Sequence, residues 1–170
     1  MGIEIPQNKF LILDGAMGTV LQQRGLSPQG RPELLNLTEP ELLDSVYKEY
    51  IAAGSQVIYA NTFGANGLKL AKTGHSVEEV VGAAIAVAKK AAAGTGTLVA
   101  LDVGPLGELL EPMGTLSFER AYDLFREMAE AGAKAGADLI VVETMTDLYE
   151  AKAALLAAKE AAHPPAFVTM

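Results

Sequence analysis

The chain reads as an α/β protein built on a parallel sheet. The predicted architecture is a (β/α) half-barrel, the first four βα units plus a fifth strand of a TIM-type (β/α)8 barrel. Three observations predict it. Short apolar runs start near residues 10, 56, 97, 138 and 166. Segments with helical periodicity separate them, so strands and helices alternate. The runs are almost continuously apolar, the pattern of parallel strands in a sheet covered on both faces. A complete barrel needs roughly 200 to 250 residues or more. The chain has 170, so a single domain over residues 1–170 is the N-terminal half of such a barrel. A dinucleotide-binding sheet fits less well, because Asp14-Gly-Ala-Met-Gly18 lacks the third glycine of that fingerprint.

Each element has its own signal. After a lead-in over 1–9, residues 10–14 form the first strand and 16–24 a short helix ending at Gly25. Leu26 to Asn36 is rich in Gly, Pro and polar residues and reads as a loop. Thr38, with Glu41 three residues on, caps the next helix, which buries Leu42, Leu43, Val46, Tyr47, Tyr50 and Ile51 and closes at Gly54. Gln56–Ala60 is the second strand, and Gly67 to Thr73 a short basic helical piece. Ser76 caps a helix with Val80, Val81, Ala84, Ile85 and Ala88 inward, stopped by Gly94 and Gly96. Thr97–Val103 is the third strand. Ser117 starts a helix burying Phe118, Ala121, Leu124, Phe125, Met128 and Ala129. Asp138–Thr144 is the fourth strand and its tip. Thr146 or Asp147 caps the last helix, with Leu148, Ala151, Leu155 and Ala158 inward, and Pro164-Pro165 stops it before a fifth strand from Ala166.

Composition narrows the function. With 50% hydrophobic residues the chain can build a substantial core. A net charge of −8 and a pI near 4.7 argue against nucleic acid and anionic membrane as partners. No signal-peptide pattern and no bilayer-length apolar run is present, so a cytoplasmic location is expected. There is no cysteine, which removes disulfides, thiol nucleophiles and thiolate ligands. The two histidines, His75 and His163, lie in polar or helix-ending contexts and read as surface residues, so no Cys/His zinc site can form.

The strand tips carry the chemistry. Asp14 ends the first apolar run and is followed by Gly15, Ala16 and Gly18, where backbone N–H groups at a helix start can meet an anion. Asn61-Thr62-Phe63-Gly64 ends the second, Gly104-Pro105 follows the third, and Glu143 ends the fourth. A carboxylate at such a buried position is costly unless paired. Asp102 lies one residue short of its tip, where it can face the barrel interior.

Together these tips resemble the homocysteine S-methyltransferase family, which includes the homocysteine-binding domain of cobalamin-dependent methionine synthase. The matching pieces are Leu13-Asp14-Gly15-Ala16-Met17-Gly18-Thr19, Asn61-Thr62-Phe63-Gly64-Ala65-Asn66, Asp102-Val-Gly104-Pro105-Leu-Gly107-Glu108 and Glu143-Thr144, with Pro32-Glu33-Leu34-Leu35-Asn36-Leu37 as the loop before the second strand's helix. The resemblance implies that Asp14 and Glu143 hold the amino group of homocysteine. It implies that the N–H groups from Gly15 to Gly18 meet its carboxylate, and that Asn61, Thr62 and Gly104 line the pocket. The family's zinc, which stabilises the substrate thiolate, is held by three cysteines on later strands; here those ligands are absent, so the chain itself offers neither a metal site nor a catalytic residue. The methyl donor, methylcobalamin in the methionine synthases, is bound elsewhere.

Two other readings follow from the residues. One is a catalytically inactive half-barrel that self-associates through exposed sheet edges into a homo-oligomer. The other is an aldolase or isomerase using Asp14 and Glu143 as acid and base, which needs a catalytic place for Lys69 or Lys72, neither on a strand.

Overall fold

The computed structural model describes residues 10–27, 30–161 and 164–170. His163 lies outside them. Four parallel strands, β1 (Val57–Tyr59), β2 (Leu98–Val103), β3 (Leu139–Val142) and β4 (Ala166–Val168), pair in chain order. In register, Tyr59 stands beside Ala100, Asp102 beside Val141, and Val142 beside Val168. The helices are α1 (Met17–Gln23), α2 (Leu35–Thr38), α3 (Pro40–Ala52), α4 (Gly67–Leu70), α5 (Val77–Ala92), α6 (Phe118–Ala135) and α7 (Leu148–Ala161), with a 3₁₀ turn at Pro32–Leu34.

The strand order never reverses. Right-handed crossovers that always advance in one direction leave their helices on one side of the sheet. The main core accordingly joins Ile58, Val99, Leu101, Val103, Ile140 and Val142 to the helices. On the opposite face Val57, Ala100, Leu139 and Val141 pack with Leu11, Tyr59, Leu98 and Phe167, and no helical residue joins that cluster among the described residues. One face is covered by helices, and the other is lined by strand side chains alone among the described residues.

The helix caps explain most element boundaries. Ser76 Oγ accepts from Glu79 N at 3.1 Å and Ser117 Oγ accepts from Arg120 N at 3.2 Å. Gly136, at φ 89°, closes α6 in the left-handed conformation. Asp147, rather than Thr146, caps α7, its Oδ1 accepting from Tyr149 N at 2.7 Å. The α5 and α6 faces are buried as their spacing predicts; Phe125, 1% exposed, contributes about 1.5–3 kcal/mol of transfer energy. Glu150, buried at the start of α7, is satisfied by the Leu106 N–H at 2.7 Å, which ties α7 to the loop after β2.

Four expectations change. The first strand is only a bridge, Leu13 beside Val57. The Ile12 carbonyl takes both Gln56 N and Val57 N, so the ladder does not propagate, and Phe10 is 96% exposed where burial was expected. The loop over 26–36 is helical from Pro32 onward, because Pro32 presets φ for the turn and Asn36 Nδ2 holds the Glu33 carbonyl at 2.7 Å. Thr38 caps nothing: its hydroxyl bonds back to the Leu34 carbonyl at 3.2 Å, and Pro40 starts α3. Leu148, the first residue of α7, points to solvent. Among the described residues no helix is long and apolar enough to cross a membrane.

Candidate functional site

A cavity of about 440 Å³ opens beyond the C-terminal ends of β1, β2 and β3. Its wall takes Asp14 to Gly18 from the edge segment and the start of α1. Pro32 and Glu33 come from the 3₁₀ turn, Tyr59 to Asn61 and Phe63 from the tip of β1, Asp102 from β2 and Glu143 from just past β3. Period-two alternation puts Tyr59, Asp102 and Glu143 on the face that carries no helices. The site is therefore the C-terminal mouth of that face, where parallel α/β sheets place their ligands.

Each wall element is pinned. Asp14 Oδ2 accepts from Tyr59 N at 2.9 Å, so the carboxyl is anchored to the neighbouring strand. Asn61 is held three ways: its N–H donates to Tyr47 Oη at 2.8 Å, its side chain to the Pro32 carbonyl at 2.6 Å, and its carbonyl accepts from Asn36 Nδ2 at 2.8 Å. Glu33 Oε1 accepts from Gly64 N at 2.8 Å. Thr144, directly after Glu143, sits at φ 61°. This conformation costs a β-branched residue about 1–3 kcal/mol and fixes the turn that aims Glu143.

The site is electrically one-sided. Asp14, Asp102 and Glu143 share the cavity, and none of them has a salt-bridge partner among the described residues. Burial pushes the Asp14 carboxyl up to about 7; the Tyr59 N–H pulls the other way, and the Glu143 charge adds a smaller push. Asp102 is raised well above the usual carboxylate range by burial first, then by the charges of Glu143, Asp14 and Glu33, with the Val103 N–H pulling the other way. Glu143 is raised by burial. The Tyr59 hydroxyl is pushed up to about 12 by burial, then by Glu143, Asp102 and Asp14. Raised carboxyls around an uncompensated cavity are the arrangement that a bound cation relieves.

Of the residues expected from the sequence, Asp14, Gly15, Ala16, Gly18, Asn61 and Glu143 come together around this cavity. Thr62 and Gly104 stand behind the wall. Thr62 is wholly buried, donating to the Asp102 carbonyl at 2.7 Å and accepting from Asp102 N at 3.0 Å. A Cβ on Gly104 would lie 2.5 Å from the Phe63 ring, so that glycine lets an aromatic wall residue seat against β2. Gly15 similarly gives room to the Tyr50 ring, 3.0 Å from a Cβ there. No side chain caps α1, and its first residues, Met17 and Gly18, line the cavity. Sequence reasoning missed Tyr59 and Glu33, and undervalued Asp102. The signal for Asp102 and Tyr59 was strand alternation, which places them in line with the apolar inner face. Glu33 is brought in by a turn that no periodicity announces.

Neither lysine proposed for aldolase chemistry lines the cavity. Lys69 Nζ donates to the Pro105 carbonyl at 2.8 Å and lies 5.6 Å from the centre of the Phe63 ring. His75 pairs on the surface with Glu79 at 3.1 Å. Nor do the residues fit zinc: the sequence holds no cysteine, and no group of three or more His, Asp or Glu among the described residues can hold a metal ion.

Known proteins resemble the chain in sequence and in fold. Methionine synthase of Mycobacterium tuberculosis is 31% identical over 174 residues, and that of Mycobacterium leprae 31% over 186. The chain spans only 14% and 15% of their lengths, while 94% and 98% of it is matched. The metallated form of the homocysteine methyltransferase MmuM from Escherichia coli superposes with a TM-score of 0.81 at 29% identity, over 96% of this chain and 64% of that one. The apo form of the same enzyme gives 0.70 at 30% identity. Residues 11–170 match the sequence profile described as Homocysteine S-methyltransferase, and the chain belongs to that family.

Proposed function

We propose that the cavity binds the amino-acid end of homocysteine, and that the chain is the first half of the (β/α)8 barrel in which its thiol is methylated. The observation that carries this reading is the set of three raised carboxyls around one cavity whose lining holds no cationic side chain. An ammonium group supplies the missing charge, held by Asp14 and Glu143. The substrate carboxylate then takes the uncapped N–H groups from Gly15 to Gly18. Asn61 shapes the wall, and Thr62 and Gly104 support it from behind. Zinc and the methyl donor, methylcobalamin in this reading, act on the sulfur from outside these residues, so no step of methyl transfer is assigned to them. Isothermal titration with homocysteine and with methionine tests the clamp. Both should bind, and binding should strengthen by up to tenfold per pH unit as Asp14 ionises towards pH 7. No heat from folded protein with either amino acid overturns the reading.

A second reading is favoured by one observation. The sheet ends on one side at the Leu13 bridge and on the other at β4, which pairs only with β3 among the described residues. Phe10, Ile12 and Leu13 are exposed there, as are Val168 and Met170. Two copies joined along these edges would form a homo-oligomer without catalytic turnover of its own.

A further inference from the structure

Asp102 is the carboxyl that a two-acid clamp leaves unused. It is 7% exposed, lines the cavity, and its Oδ1 is buried without any hydrogen-bond partner. Its main chain is immobilised from both sides by Thr62. Thr62 fixes where the side chain starts, while rotation about Cβ–Cγ exchanges the two oxygens at little cost. A buried acceptor left without a partner is an exception that calls for an explanation, and a donor bound in the cavity supplies one. Asp14 comes from the edge segment, Asp102 from β2, Glu143 from the end of β3 and Glu33 from the 3₁₀ turn, and of these Glu33 is already held by the Gly64 N–H.

Resting on the reading of the cavity as an ammonium site, we propose that Asp102 makes it selective for a primary ammonium. A primary ammonium carries three N–H donors, and Asp14, Asp102 and Glu143 stand ready to receive them, while Glu33, the fourth carboxyl of the wall, is engaged by the Gly64 N–H. A secondary, N-methylated ammonium carries two. It would leave one carboxyl desolvated and unpaired, and it would press a methyl group against the position that Asp102 fills. Selectivity of this kind comes from the penalty on the wrong ligand rather than from extra attraction for the right one.

The experiment is titration calorimetry of methionine against N-methylmethionine, on the wild-type protein and on Asp102→Ala. The bonds between Thr62 and residue 102 run to the main chain of residue 102, so the substitution leaves them in place. Wild type should prefer the primary amine by at least tenfold. In Asp102→Ala the preference should fall to within about twofold, chiefly through tighter binding of the N-methyl ligand, which a purely structural role would not produce. A variant that keeps the tenfold preference overturns the role of Asp102 while leaving the ammonium site standing. Wild-type protein that binds both ligands within twofold also overturns it, even if Asp102→Ala does not fold. Wild-type protein that binds neither overturns the ammonium site and this inference together.

Discussion

Asp14 does two things that oppose each other. It ties the edge segment to β1 through the Tyr59 N–H, and it holds a carboxyl in a place that resists its charge. Its folded value of about 7 exceeds its ordinary 3.8, so the folded protein binds that proton more tightly than the unfolded chain does. The stabilising contribution is full below pH 3.8 and declines towards pH 7, above which it is lost. Asp14→Asn keeps an acceptor for Tyr59 N and removes the charge. We expect its melting temperature at pH 8 to exceed that of wild type, with a flatter decline between pH 4 and 7. Its affinity for homocysteine should fall at least tenfold. Thermal melts across pH, with calorimetry at pH 8, check both. The acids at Asp14 and Glu143 were legible because a charge at the end of an apolar run is conspicuous. Asp102 was harder to value, since its meaning depends on which face of β2 looks into the cavity, and that follows from the pairing of three strands.

At the scale of elements, helices were the readable part. Ser76 and Ser117 sit before long amphipathic stretches, and each hydroxyl meets the N–H three residues on. Thr38 has the same sequence signature, but the Pro32 turn and α2 end on it, so its hydroxyl is spent on the Leu34 carbonyl. Local pattern cannot tell the end of one helix from the start of the next when only Glu39 intervenes. The contrast is testable by denaturant unfolding. Ser117→Ala should cost about 1 kcal/mol, as loss of a cap does, and Thr38→Ala less than about 0.5 kcal/mol. Equal costs would mean that Thr38 caps α3 after all. The edge segment shows the opposite failure. Its apolar run promised a buried strand, but burial needs a neighbour on both sides, and the run has one only through Gln56 and Val57.

For the molecule as a whole, the sequential order of parallel strands decides the asymmetry of the sheet. One face is sealed by helices, and the other collects the inner cluster and the acidic mouth. The order of elements was readable from the sequence, because strand and helix periodicities alternate; what covers each strand face was less so, because apolar strands look alike whether a helix or another strand covers them. The exposed edges give a prediction at this scale. Light scattering should show association that grows with protein concentration. Phe10→Lys, placing a charge on a side chain that is 96% exposed, should shift the population to monomer without lowering the melting temperature. A monomer at all concentrations removes the self-association reading.

The bond from the Tyr59 amide to Asp14 joins the most weakly paired part of the sheet to the acid expected to grip the ligand. Whatever ammonium occupies the mouth must therefore favour the docked state of residues 11–14 over any frayed one. Amide deuterium uptake should report this directly. Saturating amino acid should slow exchange at Tyr59 and along the edge, while amides deep in α5 and α6 keep their rates. Occupancy of the cavity and closure of the sheet would then be one equilibrium seen from two ends.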